Sequence, residues 1–380
     1  MTVPAGSRPP DTLPLMSSIT SSTPQLDLGT DVVALTTALC DIESVSRSEE
    51  AIADAVEAAL RPLPHLQVTR DGHAVIARTS LGRGERVVLA GHLDTVPLTD
   101  PPNLPTRREG DNLVGRGTCD MKGGVAVQLR LAAALSEPNR DVTYVFYDCE
   151  EIEAELNGLA RVGRHHPDLL QADFAVLLEP TDGIIEGGCN GTLRVEVTAT
   201  GKAVHSARPW NGHNAIHEAM TLLGRLVAYE PQTIAVDGLD YREALSAVGI
   251  RGGRAGNVIP DECVVTVNYR FAPDKSGTQA LAHVRELFDG YAVKVTDIAD
   301  GARPGLRLPA AQAFIEALGV PVHAKEGWTD VARFSDLSIP AVNFGPGDPN
   351  WAHHDQEHCP VHQLVEAEAA LLRWLAPASA

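Results

Sequence analysis

Aromatic side chains are scarce in this 380-residue chain, at 4%, although 44% of it is apolar. Its core must therefore come from Ala, Val, Leu and other small or branched residues, as in α/β proteins. Positive charge is short as well: 31 Lys and Arg face 50 Asp and Glu, a net charge of −19. That balance argues against nucleic acid or an anionic membrane as partner, because both recruit basic surfaces. It also demands local positive charge wherever an anionic substrate binds. No apolar run reaches the roughly 18 residues of a spanning helix, so the chain reads as a soluble protein. The six cysteines (Cys40, Cys119, Cys149, Cys189, Cys263, Cys359) contain no Cys-x-x-Cys pair. In a long chain without the apolar h-region of a secretory signal, free thiols and a cytoplasmic location are expected. Residues 1–24, rich in Pro, Ser and Thr, read as a disordered leader, with Met16 as an alternative start.

The length suits two ordinary domains. From Leu28 to Leu60 apolar residues recur at helical spacing. Ser46-Arg47-Ser48-Glu49-Glu50 reads as a helix start, with Ser46 capping and Glu49 three residues on. Apolar runs at Arg86–Ala90, Val142–Tyr147 and Phe174–Leu178 read as buried parallel strands. After Pro180 the style changes. Leu193–Thr200, Ser246–Arg251, Cys263–Phe271 and Ala292–Ile298 are expected as strands, alternating where one face is wet, with helices at Ala215–Val227 and Gly277–Phe288. Strand, helix, strand, strand, helix, strand is a ferredoxin-like order. The expected architecture is an α/β domain (residues 25–187 and 298–380) interrupted by an inserted α+β domain (residues 188–297).

Chemistry collects at the strand ends. His92 and Asp94 close the run VVLAGHLD, and side chains at i and i+2 leave an extended chain on the same side. Asp120 sits in the Gly-rich turn GRGTCDMKGG. Glu150 and Glu151 follow VTYVFY, Glu179 follows AVLL, and His353 and His354 lie in a loop after AVNF. Open α/β sheets gather such groups on one rim. Carboxylates brought together there would repel one another and rise in pKa unless a cation neutralises them. Mixed nitrogen and oxygen donors suit zinc, or cobalt or manganese, better than calcium or magnesium.

HLDTVP, GRGTCDMKGG, the paired CEE, LEPT and a closing His-x-x-x-Glu, in this order, resemble the dinuclear zinc amidohydrolases of the M20 metallopeptidase family. The likeness runs from Leu28 to the C-terminus. It implies a zinc-aminopeptidase-like catalytic domain carrying a ferredoxin-like lid through which a homodimer forms. Two divalent metal ions are implied, His92 and Glu179 on one, Glu151 and a histidine of the C-terminal loop on the other, with Asp120 between them. His353 fits that position better than His354, because His353 and Glu357 reproduce the His-x-x-x-Glu spacing. Asp94 would orient His92, and Glu150 would deprotonate a water held between the metals. A cis peptide is implied at Asp120-Met121. His205, in KAVHS of the lid, would steady the oxyanion from across the dimer. Asn257, Arg270 and Thr329 resemble substrate-contacting residues.

Within the family, GGRAGNVIPDECVVTVNYR and EGWTDVARFSDLSIPAVNFGPGDPNWAHHDQEH are similar to members that remove succinate from N-succinyl-diaminopimelate. That implies hydrolysis of N-succinyl-LL-2,6-diaminopimelate in lysine biosynthesis. Deacetylation of acetylornithine, aminoacylase or dipeptidase chemistry, or a non-catalytic relative used as a binding module, are the alternatives. One departure stands out: gram-negative members carry an arginine near Asn190-Gly191-Thr192, and this chain has none there.

The blander readings differ in weight. Cys119 and Cys149 each precede an expected ligand, but alternation turns them away from it, as for buried free cysteines elsewhere. GRGTCDMKGG lacks the Gly-Lys-Ser/Thr ending of a phosphate loop. Arg270 could equally be a charge on the wet face of a sheet.

Overall fold

The computed structural model describes residues 24–377, so the leader expected over 1–24 falls outside it but for its last position. Eight strands form one mixed sheet, in the order Gln67–Asp71, Ala74–Arg78, Asp141–Tyr147, Arg86–His92, Phe174–Leu177, Ala341–Asn343, Ile185–Gly187, Val322–Ala324. The run from Asp141–Tyr147 to Ala341–Asn343 is parallel throughout. Both faces of these strands are buried, which is why their sequences are apolar without alternation. Val87 and Leu89 enter the core beneath the helices Val32–Cys40, Glu50–Leu60, Lys122–Ala134, Pro309–Leu318 and Val361–Leu375. Val88 and Ala90 enter the opposite core, with Leu159, Val162, Leu170, Val331 and Phe334.

Parallel strands put their carboxyl ends on one rim, and His92, Glu150, Glu179 and the loop after Asn343 all arrive there. One glycine tightens the arrangement. A Cβ on Gly124 would lie 2.1 Å from the Leu178 carbonyl oxygen, so only glycine lets the helix Lys122–Ala134 press against this strand end. The same approach brings Asp120, just ahead of that helix, toward Glu179.

The chain leaves this sheet after Ile185–Gly187 and rejoins it at Val322–Ala324. Between them lies a four-stranded antiparallel sheet, ordered Ala244–Gly252, Glu262–Phe271, Gly191–Thr200, Ala292–Ala299. The helices Ala215–Val227 and Gly277–Leu287 cover one face of it, over Leu193, Val195, Val197, Val265 and Val267. This is the ferredoxin-like order, with strands slightly longer than the alternation indicated. Among the described residues, no helix is long and apolar enough to cross a membrane.

One local expectation fails. The helix Glu50–Leu60 begins at Glu49 without a side-chain cap, and Ser46 does not serve it. The Ser46 hydroxyl donates instead to Asp94 Oδ2 at 2.7 Å. A hairpin, Thr233–Val236 and Leu239–Arg242, also goes unanticipated. Its Tyr241 hydroxyl donates to the Gly187 carbonyl at 2.6 Å and ties the hairpin to the large sheet.

Candidate metal centre

At the rim, Asp120 stands between two histidines. Its Oδ1 lies 3.1 Å from His92 Nε2 and its Oδ2 lies 3.3 Å from His353 Nε2. His353 Nε2 is also 2.9 Å from Glu151 Oε2. Ligand atoms of His92, Asp120 and Glu151 all fall within 4.8 Å of one another. His354 turns elsewhere: its Nδ1 accepts from the Gln356 N–H at 3.1 Å and its ring packs edge-on against Trp351. The bond Asp120-Met121 is cis, as the resemblance implied.

Asp94 contacts more than His92. Its Oδ1 lies 3.4 Å from His92 Nδ1, which is closer, at 3.0 Å, to the Asp94 carbonyl. The carboxylate mainly binds the next strand end, accepting the N–H groups of Glu150 at 3.0 Å and Glu151 at 3.1 Å. With the Ser46 hydroxyl, it braces the acid pair and the histidine together. Burial works against its charge, but these partners, His92 foremost, hold Asp94 below the usual carboxylate range.

The electrostatics identify what the cluster requires. Burial raises the Glu179 carboxyl to about 8, with the charges of Asp120 and Glu151 adding to the rise and His92 and Lys325 opposing it. Burial likewise pushes Glu150 well up, reinforced by Asp330, Glu179 and Glu151. Glu151 rises through burial and the neighbouring Asp120. In the opposite sense, hydrogen bonds to Asp120 and Glu151 lift His353 to about 10. Glu179 Oε1 is buried and has no hydrogen-bond partner among the described residues. Acids pushed toward neutrality, histidines pulled toward the cation and an orphaned carboxylate oxygen are the marks of a site short of positive charge. The donor set of imidazoles and carboxylates fits a divalent cation.

The family follows from the whole chain. The profile of peptidase family M20/M25/M40 matches residues 88–376, which contain every one of these groups but Ser46. The chain belongs to this M20 family. Its relatives include Mycobacterium tuberculosis DapE, 56% identical over 92% of this chain and 99% of that one. The Corynebacterium glutamicum succinyl-diaminopimelate desuccinylase is 46% identical over 93% of this chain and 98% of its own length. Among solved folds, Bacillus subtilis YXEP, a dinuclear metal-binding peptidase of the M20 family, superposes with a TM-score of 0.66 at 18% identity, covering 90% of this chain and 96% of that one.

The other residues singled out in this M20 sequence are not all gathered at the rim. Thr329 is buried nearby, its hydroxyl donating to Asn343 Oδ1 at 3.1 Å. Arg270 is half-buried on the strand Glu262–Phe271, opposite Thr192, and none of the described hydrogen bonds or ion pairs engages its guanidinium. His205 and Asn257 lie together on exposed turns of the inserted unit, where the Ser206 N–H donates to the Asn257 carbonyl at 2.9 Å. The His205 Nδ1 accepts from the Ala207 N–H, at 3.0 Å. Cys119 and Cys149 point away from the cluster, their thiols donating to the Asp348 carbonyl and to Glu49.

Sequence reasoning missed two partners. Asp330 is fully buried and accepts from Asn157 Nδ2 at 2.8 Å, and its charge adds to the rise of the Glu150 carboxyl. Lys325, also buried, pairs with Glu186 at 2.6 Å and offsets part of the acid excess at Glu179. Asp330 stood in the quoted WTDVARF, next to the residue chosen. Lys325 carried no signal.

Proposed function

We propose that this chain hydrolyses the amide of N-succinyl-LL-2,6-diaminopimelate to succinate and LL-2,6-diaminopimelate. The observation that carries the hydrolytic reading is Asp120, with one carboxylate oxygen directed at each of two histidines inside an acid-rich rim. The substrate is supported by the two desuccinylase-type relatives that match this chain over nearly its whole length.

His92 and Glu179 would hold one divalent ion, zinc or else cobalt or manganese, and Glu151 and His353 the other, with Asp120 shared. When bound, the pair would polarise the succinyl carbonyl and favour ionised water. Glu150 takes a proton from the attacking water, whose oxygen adds to the carbonyl carbon. The C–N bond then breaks, and Glu150 returns that proton to the departing amine. Asp94 holds the backbone of Glu150 in place for both transfers. Arg270 is suited to a substrate carboxylate, because a guanidinium free of internal acids can bind one bidentately. Thr329 would contact the substrate as well, and Asn257, on the same exposed turns as His205, would do so from across the dimer. A cytoplasmic setting fits the six buried cysteines, all free.

The test is turnover by zinc-loaded protein of succinyl-diaminopimelate, acetylornithine and a dipeptide panel. Cleavage of the succinylated compound is expected to dominate. Rapid acetylornithine cleavage with none of the succinylated compound would defeat the substrate and leave the hydrolytic mechanism standing.

A homodimer through the inserted unit completes this reading, with His205 reaching the partner's site. Ala244–Gly252 is an edge strand, with Val248 60% exposed. On the adjoining helix Ala215–Val227, Ile216, Met220 and Val227 form an exposed stripe, Met220 at 74% and Val227 at 87%. Unpaired edges and apolar stripes of this kind call for a cover. The double variant Met220→Asp, Val248→Asp should therefore sediment as a monomer. It should also lose on the order of 10²-fold or more in kcat, the usual cost of a missing oxyanion donor. A fully active monomer would refute the role of His205 across the dimer.

A further inference from the structure

The turn that presents Asp120 runs between the strand Asn112–Val114 and the helix Lys122–Ala134. It passes through a left-handed φ of 83° at Gly117. Within it, the Thr118 N–H reaches Gly115 O and the Lys122 N–H reaches Gly117 O. The remaining buried amides need an acceptor from elsewhere. The Arg116 N–H reaches Asn103 O at 3.4 Å, and one side chain serves three of the others. Glu357 Oε1 accepts from the N–H groups of Gly117 at 2.9 Å, Cys119 at 3.1 Å and Asp120 at 3.0 Å. Its Oε2 accepts from Arg116 Nη1 at 2.7 Å. The Glu357 carbonyl also accepts from the Gly115 N–H at 3.0 Å.

Two consequences follow. An aspartate just before a helix ordinarily turns back to cap its first amides. Here the helix starts without a side-chain cap, Glu357 holds the Asp120 N–H, and the Asp120 carboxylate is directed at His92 and His353. Glu357 also follows His353 in the same loop, so one carboxylate joins the segments that carry two of the proposed ligands.

We propose that Glu357 is a positioning residue that sets the spacing of the two metal subsites by anchoring the Asp120 turn to the His353 loop. The proposal rests on the metal-centre reading above. It assigns the effect to the three amides on Oε1 rather than to the ion pair with Arg116 on Oε2.

The experiment is calorimetric titration of metal-free protein with Zn²⁺, paired with the visible spectrum of the Co²⁺-loaded form. Glu357→Gln keeps the size, but its NH2 must oppose either the three amides or Arg116. Folded Glu357→Gln is expected to bind metal about 10- to 100-fold more weakly, the range for removing a residue that orients ligands, with an altered Co²⁺ spectrum. Wild-type affinity and spectrum in that variant would overturn the proposal. Arg116→Lys preserves a cation on Oε2 and all three amide bonds, so its affinity should stay within about threefold of wild type, whether or not Glu357→Gln folds. A loss as large as tenfold in Arg116→Lys would show that the ion pair governs, and would equally overturn it. If the wild type takes up no divalent ion, the metal centre itself fails, an outcome distinct from a two-ion wild type matched by Glu357→Gln.

Discussion

Glu150→Gln should lower kcat by roughly 10²- to 10⁴-fold, the span attributed to a general acid–base group, while metal content and KM stay near wild type. The substitution is nearly isosteric, so the turn after Asp141–Tyr147 keeps its shape, and the backbone bond from residue 150 to Asp94 Oδ1 is untouched. What disappears is the ability to take a proton. Burial raises the Glu150 carboxyl, and the charges of Asp330, Glu179 and Glu151 add to the rise. A base of that kind accepts a proton from water and can also surrender it to a leaving amine. Metal analysis beside steady-state kinetics separates the two roles open to this residue. A kcat within tenfold of wild type would remove Glu150 as the base. Loss of metal in proportion to activity would make it a ligand instead.

The rim was legible because parallel strands leave little freedom. Once VVLAGH, VTYVFY and AVLL are neighbours in one direction, His92, Glu150, Glu151 and Glu179 must emerge together. The ferredoxin-like unit was legible for a related reason, since alternation along Gly191–Thr200 and Glu262–Phe271 reports one buried face. What escaped is whatever depends on a partner far along the chain. Ser46 satisfies the local rule for a helix cap, yet Asp94, 48 residues on, takes its hydroxyl. The three-amide anchor on Glu357 joins positions about 240 residues apart, and spacing alone showed only that Glu357 follows His353. The hairpin is different. Asp237-Gly238, both left-handed at φ 52° and 97°, sits between TIAV and LDYR, a recognisable two-residue turn. Its signal was present and was overlooked, because it falls where a ferredoxin-like order has no strand.

Asp120→Ala should produce the deepest loss: bound divalent metal falling from the proposed two ions per chain to one or none, and kcat falling by on the order of 10³-fold or more. Asp120 is the group whose two oxygens face different histidines, so its removal takes a donor from both proposed subsites at once. It also removes the charge that most directly separates His92 from His353. Asp120→Asn is the sharper probe. An amide retains one oxygen donor but offers an NH2 in place of the other, so one subsite should survive while the second weakens. The histidines supply the control. His353→Ala should lose the ion on the Glu151 side, because its Nε2 lies 2.9 Å from that carboxylate. His354→Ala should keep both ions, because its ring is occupied with the Gln356 N–H and Trp351. Full metal content in Asp120→Ala would dismantle the shared-carboxylate centre. Equal losses in the His353 and His354 variants would show that the loop moves as a whole and that neither ring is a dedicated donor.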